Sequence, residues 1–206
     1  MVRQQVRTWD VFDEETLDLL SSLDRHEFVP AEYARLAYAD TAIPLPNGQS
    51  MLAPLLEGRI LQALDPTPGE RALEIGSGSG FFAACLASLA EQVVTVELFD
   101  DLVTMASNNL ARAGIDNVDV QKMDATVELP ADQFDVIAVT ASMEQLDDRL
   151  PERLNDGGRM FVVVGSAPVM QGRLITREGD SWSDESLFET RIAPLVTGST
   201  PSRFQF

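Results

Sequence analysis

From residue 71 onward, short apolar runs alternate with longer amphipathic stretches, and this alternation sets the expected fold. The runs "ALEI", "VVTVE", "VDVQ" and "FDVIAV" have the length and composition of strands buried on both faces. Between them, residues 81–89 and 102–113 place apolar side chains at helical spacing, and a further helix is expected around residues 146–154. Strands separated by helices predict a parallel sheet with helices on both faces. "GGRMFVVVG" adds a fifth buried strand behind a Gly157-Gly158 turn. "RLITRE" and "SLFETRIAPLV" are separated by the polar "GDSWSD" and by no helix, so they read as a hairpin that closes the sheet in antiparallel fashion.

The expected fold is therefore a doubly wound, Rossmann-like α/β sheet of seven strands, mostly parallel and antiparallel at its C-terminal end. Residues 1–65 read as a helical elaboration of the same domain. "DEETLDLLSSL" has acids in its first turn and Leu17, Leu20 and Leu23 at helical spacing, and Leu56, Ile60, Leu61 and Leu64 repeat the pattern. Between these helices runs an irregular loop, residues 43–54, whose ends Pro46 and Pro54 restrict. With no linker or repeat, one domain is expected over residues 1–206, its α/β core over 66–206.

The chemistry concentrates where strands end. "LEIGSGSGFFAACLA" is a strand, a glycine-rich turn and a helix; Gly76, Gly78 and Gly80 allow close backbone approach to a ligand, and the helix N-terminus behind them would offer N–H groups. Phe81 stands where a dinucleotide fingerprint needs its third glycine, which disfavours a dinucleotide. Glu97 closes the second strand, at the offset expected of an acid that grips ribose hydroxyls. Asp124 falls in the next loop, placed to accept from an adenine amino group, and "VTAS" ends the fourth strand on the same edge. Four segments thus converge on one crevice at the carboxyl ends of the strands.

Composition narrows the classes. The 15 Lys and Arg against 33 Asp and Glu give 15 − 33 = −18, a field that repels phosphate backbones and acidic membranes, so neither nucleic acid nor membrane is expected as a partner. Cys85 is the sole cysteine and lies in an apolar helical run, which implies a buried inert thiol and suits a reducing, cytoplasmic setting. His26, the sole histidine, sits in "DRHEFVP", read as a surface turn; no multi-histidine or thiolate metal site can be built.

With these residues in view, "ERALEIGSGSGFFAACLASLAEQVVTVE" resembles the first motif of class I S-adenosylmethionine-dependent methyltransferases. More narrowly, "HEFVP", "DTAIPLPNGQS", "NVDVQKMDAT", "FDVIAVTAS" and "LNDGGRMFVVVG" occur in the order of the protein-L-isoaspartate O-methyltransferase family, which the chain resembles from about Arg3 to Leu195. The resemblance implies S-adenosylmethionine in the crevice, with Glu74, Gly76, Ser77, Gly78 and Gly80 along its methionine part, Glu97 on the ribose, Asp124 facing the adenine, and Leu98, Ala125 and Thr140 completing the set. It implies methyl transfer to the free carboxylate of an isoaspartyl residue in a damaged polypeptide; a monomer is expected.

Three positions depart from the family's pattern. The serine regarded there as the active-site residue is Leu52 here, Asp124 is followed by Ala125 in place of glycine, and a proline is replaced in "VVVG". Gln49 and Ser50 are left as the catalytic candidates. Two alternatives stay open: another carboxylate acceptor, or a regulatory protein that binds the cofactor and catalyses weakly. Phe204 and Phe206, in the tail, are expected to pack on the body or cap the substrate groove.

Overall fold

A computed structural model describes Val6 and residues 11–198. The expectations placed on Phe204 and Phe206 lie outside the described residues. α1 (Glu14–Ser22) begins at Asp13, whose carboxylate accepts the Thr16 N–H at 2.7 Å, and buries Leu17, Leu19 and Leu20. Two 3-10 segments, Arg25–Phe28 and Ala31–Leu36, follow. The expected irregular loop contains a small hairpin, β1 (Ile43–Pro44) with β2 (Ser50–Met51), around a 3-10 turn over Pro46–Gly48. α2 (Pro54–Leu64) then starts with proline at its first position, where the missing N–H has no intrahelical partner to lose.

The main sheet has the strands β3 (Arg71–Ile75), β4 (Gln92–Glu97), β5 (Val118–Lys122), β6 (Phe134–Met143), β7 (Leu154–Ser166), β8 (Val169–Glu178) and β9 (Ser181–Glu189). Their order is β5-β4-β3-β6-β7-β8-β9. The first five run parallel and the last two antiparallel. α3 (Phe81–Leu89) and α4 (Asp100–Arg112) connect β3 to β4 and β4 to β5. Chain order reverses at β3, so the carboxyl ends of β3, β4 and β6 frame the crevice that such sheets offer to ligands.

Alternate residues of each strand face two separate cores. Ala72, Val93, Val136, Ala138, Phe161 and Val163 pack with α1, α2, α3 and α4, whereas Leu73, Ile75, Val94, Val96, Ile137 and Val139 face the other side. That second side is covered by segments that are not helical. The helix expected around residues 146–154 is a set of turns ending in a 3-10 turn, Pro151–Arg153. Leu150 and Leu154 are buried as the pattern required, but Pro151 cannot sit inside a helix and β7 already begins at Leu154.

Two further boundaries move. Gly157-Gly158 does not precede β7 but lies within it, as a bulge between the pairs Phe134↔Leu154 and Val136↔Arg159. The hairpin's second strand begins earlier than expected and ends at Glu189, and the apolar "IAPLV" leaves the sheet. Ser142 holds that departing segment: its N–H donates to Ala193 O at 2.8 Å, and its carbonyl accepts the Leu195 N–H at 2.7 Å.

Candidate active site

The turn after β3 is built by its neighbours. Gly76 has φ +101°, and a Cβ there would stand 2.6 Å from Thr140 Oγ1, whose hydroxyl donates to the carbonyls of Ile75 and Gly76. Glycine is required by both conformation and space. The N–H groups of Gly76 and Ser77 donate to Val96 O, and that of Gly78 to Glu97 Oε2 at 3.1 Å. These three donors are therefore committed to β4 rather than left for an anion. Gly80 serves packing: an added Cβ would meet the Ala106 backbone of α4 at 3.1 Å, and Gly80 stands outside the crevice lining.

Glu97 is 7% exposed at the end of β4 and lines the crevice, its second oxygen accepting from the N–H groups of Leu98 (2.8 Å) and Phe99 (3.1 Å). Glu74, one strand over, is buried behind the glycine loop. The Thr95 hydroxyl donates to Glu74 Oε2 at 2.6 Å, and Ser77 Oγ lies 2.7 Å from Thr95 Oγ1. Burial, opposed by the Thr95 bond and reinforced by the charges of Glu97 and Glu57, pushes the Glu74 pKa up to about 8. Glu74 and Ser77 line a smaller cavity on the far side of the loop, which Ser50 and Leu52 also border.

Asp124 is placed beside the crevice but outside its lining, with its carboxylate occupied. Oδ1 accepts the N–H and hydroxyl of Thr126, and Oδ2 accepts the Gly198 N–H at 2.7 Å. Burial raises its pKa, but the bonds from Thr126, Gly198 and Thr197 outweigh that and hold it below the usual carboxylate range.

The loop over the crevice is pinned at several points. Asn47 donates to Asp101 at the start of α4 at 2.7 Å, and Leu45 packs close to Gly78. Beneath it lies a buried ion pair, Arg25 with Glu57 of α2. Arg25 Nη2 donates to Leu52 O at 2.7 Å, and its guanidinium carbon stands 4.6 Å from the Phe81 ring centre at the start of α3. "DRHEFVP" read as a surface turn, and His26 is half-exposed with Nδ1 2.9 Å from Tyr38 Oη, yet Arg25 beside it is buried.

Together these elements frame an open-mouthed crevice at the carboxyl edge of the sheet. Of the residues singled out from the sequence, Gln49, Ser50, Gly76, Gly78, Glu97, Leu98, Ala125 and Thr140 line it. Ile75, Val96, Phe99, Leu102 and Met123 add an apolar wall, and the segment from Ala193 to Val196 closes one side. The strand-end residues among these could have been found from the strand boundaries alone; the 193–196 segment reads as strand, and nothing in its pattern marks it as a wall. Leu52, 8% exposed, borders the crevice and also a second groove. Cys85 is buried in α3, away from both.

A family model described as protein-L-isoaspartate(D-aspartate) O-methyltransferase (PCMT) matches residues 1–200. The chain belongs to the protein-L-isoaspartate O-methyltransferase family. This family member is 36% identical over 197 residues to a relative of that name from Methanoregula boonei, covering 95% of this chain and 91% of the relative. It is 35% identical over 207 residues to one from Koribacter versatilis, covering 98% and 93%. In fold it is similar to a Plasmodium falciparum chain solved in complex with S-adenosyl-L-homocysteine, with a TM-score of 0.81, 21% identity and coverage of 95% and 96%. No helix among the described residues of this family member is long and apolar enough to cross a membrane.

Proposed function

We propose that the chain is an S-adenosylmethionine-dependent O-methyltransferase that esterifies the free carboxylate of L-isoaspartyl residues in damaged polypeptides. The observation that carries this reading is the junction at Ser50, Leu52 and Ala193, where the glycine-loop crevice meets a groove between α2 and the chain leaving β9. A small donor in the crevice and a polypeptide in the groove meet there.

The residues fit the donor. The Cβ-free turn at Gly76 admits close approach, the apolar wall suits a purine, and Glu97 faces the crevice ready to accept ribose hydroxyls. The committed N–H groups of Gly76, Ser77 and Gly78 suit a cationic ligand better than a pyrophosphate. Gly76, Gly78 and Thr140 are assigned to the methionine part, with Glu74 and Ser77 acting from behind the loop, and Leu98 and Ala125 to the base. Asp124 is assigned to the adenine amino group, whose entry exchanges the Gly198 N–H for another donor.

When bound, S-adenosylmethionine supplies a methyl group on an activated sulfonium. A carboxylate with a reference pKa of ~4 needs no base at neutral pH. The bound donor would supply the methyl to a carboxylate oxygen and leave as a neutral thioether, so no proton has to be held or moved by a side chain of this protein. The chain's task is alignment and exclusion of water. Gln49 and Ser50 offer donors to the acceptor carboxylate at the crevice mouth, and Leu52 closes the mouth with apolar surface.

With a formal charge of −18 and one cysteine, the chain is assigned to the cytoplasm as a monomer of one domain, with neither nucleic acid nor membrane as partner. Leu52 favours a second reading, a more apolar carboxylate acceptor. Labelled methyl transfer to an isoaspartyl peptide and not to its aspartyl twin supports the first reading. Transfer only to other acids supports the second, and cofactor binding without transfer to either rejects both.

A further inference from the structure

The groove beside Leu52 holds an arginine that stacks on an aromatic ring and, unlike six of the chain's arginines, forms no ion pair among the described residues. In a chain with 33 acidic residues, Arg25, Arg71, Arg112, Arg149, Arg159 and Arg173 each pair with a carboxylate. Arg59 does not. Among the described residues its guanidinium meets neither a carboxylate nor a carbonyl, and its carbon lies 3.8 Å from the centre of the Phe188 ring. Phe188 is itself stacked on Phe161 at 5.8 Å and 25°, and Phe161 is fully buried. Gly172 makes room for this stack: a Cβ there would stand 3.0 Å from the Phe161 ring and 3.1 Å from that of Phe188. The aromatic pair thus fixes a half-buried guanidinium in the groove wall, its in-plane N–H donors not used by any of the described residues.

Arg59 lines the groove and not the crevice, so it meets a bound polypeptide away from the carboxylate being methylated. The groove's own acids do not neutralise it: the carboxylate of Asp40 accepts the Leu55 N–H at 3.3 Å, and the exposed Glu189 forms no ion pair with it. Arg191 adds a second positive charge on the same groove. A planar, pre-positioned guanidinium is matched by a carboxylate.

We propose that Arg59 is a specificity-determining residue that selects acceptor polypeptides carrying an acidic side chain near the isoaspartyl residue. This rests on the methyltransferase reading above, which supplies the polypeptide. It also runs against the molecule's overall charge: at large the protein repels an acidic peptide, and a local contact at Arg59 reverses this only for a carboxylate that reaches it.

The test uses isoaspartyl peptides in which a single flanking position, scanned on both sides, is glutamate or its neutral isostere glutamine. The full-length wild type, Arg59→Gln and Arg59→Lys are compared at fixed salt. At one or more positions the wild type should favour glutamate by about five- to tenfold in kcat/KM, carried mainly by KM. The ratio should fall to about one in Arg59→Gln and be partly restored in Arg59→Lys. Because each ratio is taken on one variant, a partly unfolded preparation does not create or erase it. No glutamate preference at any position in the wild type, or a preference that survives in Arg59→Gln, overturns the assignment. Calorimetric titration of the same peptides reads recognition without turnover. Binding that prefers glutamate without any methyl transfer would reject the methyltransferase reading and keep Arg59's role.

Discussion

Replacing Glu74 by glutamine keeps an acceptor for the Thr95 hydroxyl and removes an ionisation that the fold disfavours. The Glu74 pKa is raised from 4.5 to about 8, chiefly by burial. An unfolded chain releases this proton near 4.5, whereas the folded chain keeps it to about 8. Between those values the native state holds one proton more than the unfolded state, so stability falls as pH rises. The group's contribution is complete below the unfolded value and lost as pH passes through the folded one. At about 1.4 kcal/mol per pH unit, going from about pH 5 to about pH 7.5 should cost the wild type roughly 3 kcal/mol relative to Glu74→Gln. For a chain of this size that is a melting-temperature difference of roughly 6–12 °C. Paired melts of the two proteins across this range measure it, and the contribution of Glu57 largely cancels in the comparison. The curves should diverge steadily with pH, the variant becoming the more stable. Curves that stay parallel would mean that Glu74 is ionised throughout, and would refute the reading of a neutral carboxyl behind the glycine loop.

Three further perturbations separate packing from chemistry. Arg25→Met leaves Glu57 buried without its partner and should cost about 3–5 kcal/mol in urea unfolding, much of it recovered in the double variant with Glu57→Met. Gly80→Ala forces a φ of +84° on a residue with a Cβ and presses it against Ala106, so stability should fall by about 1–3 kcal/mol while calorimetric affinity for S-adenosylhomocysteine holds. Leu52→Ser places a hydroxyl donor at the crevice mouth; kcat/KM on an isoaspartyl peptide should rise severalfold, against a stability loss of about 2–3 kcal/mol from the lost packing.

What could be read in the sequence follows what local patterns encode. β3, the glycine turn and α3 are specified within one short stretch, Glu97 stands at the end of an apolar run, and the seven strands are each marked at least in part by a local apolar run. Leu146, Leu150 and Leu154 recur at helical spacing because they all contact the second core, yet Pro151 and the early start of β7 leave no helix between them. β9 carries little strand signal because most of it is an exposed polar edge without alternation, while the apolar "IAPLV", which has the composition of a strand, is the crevice wall held by Ser142. The buried state of Arg25 depends on Glu57, Leu52 and Phe81, far away in sequence, and no local pattern announces such a pairing. Asp124 is at the expected strand end, but its engagement by Gly198 depends on where the chain returns after β9.

In the proposed reaction a carboxylate in the groove meets a methyl donor in the crevice at Ser50, Leu52 and Ala193. Tandem mass spectrometry of an isoaspartyl peptide incubated with the protein and S-adenosylmethionine reads out this meeting. The prediction is a mass gain of one methylene, localised by fragmentation to the isoaspartyl residue, and none on the aspartyl twin. Modification of both peptides alike, or of neither while the cofactor binds, would contradict it.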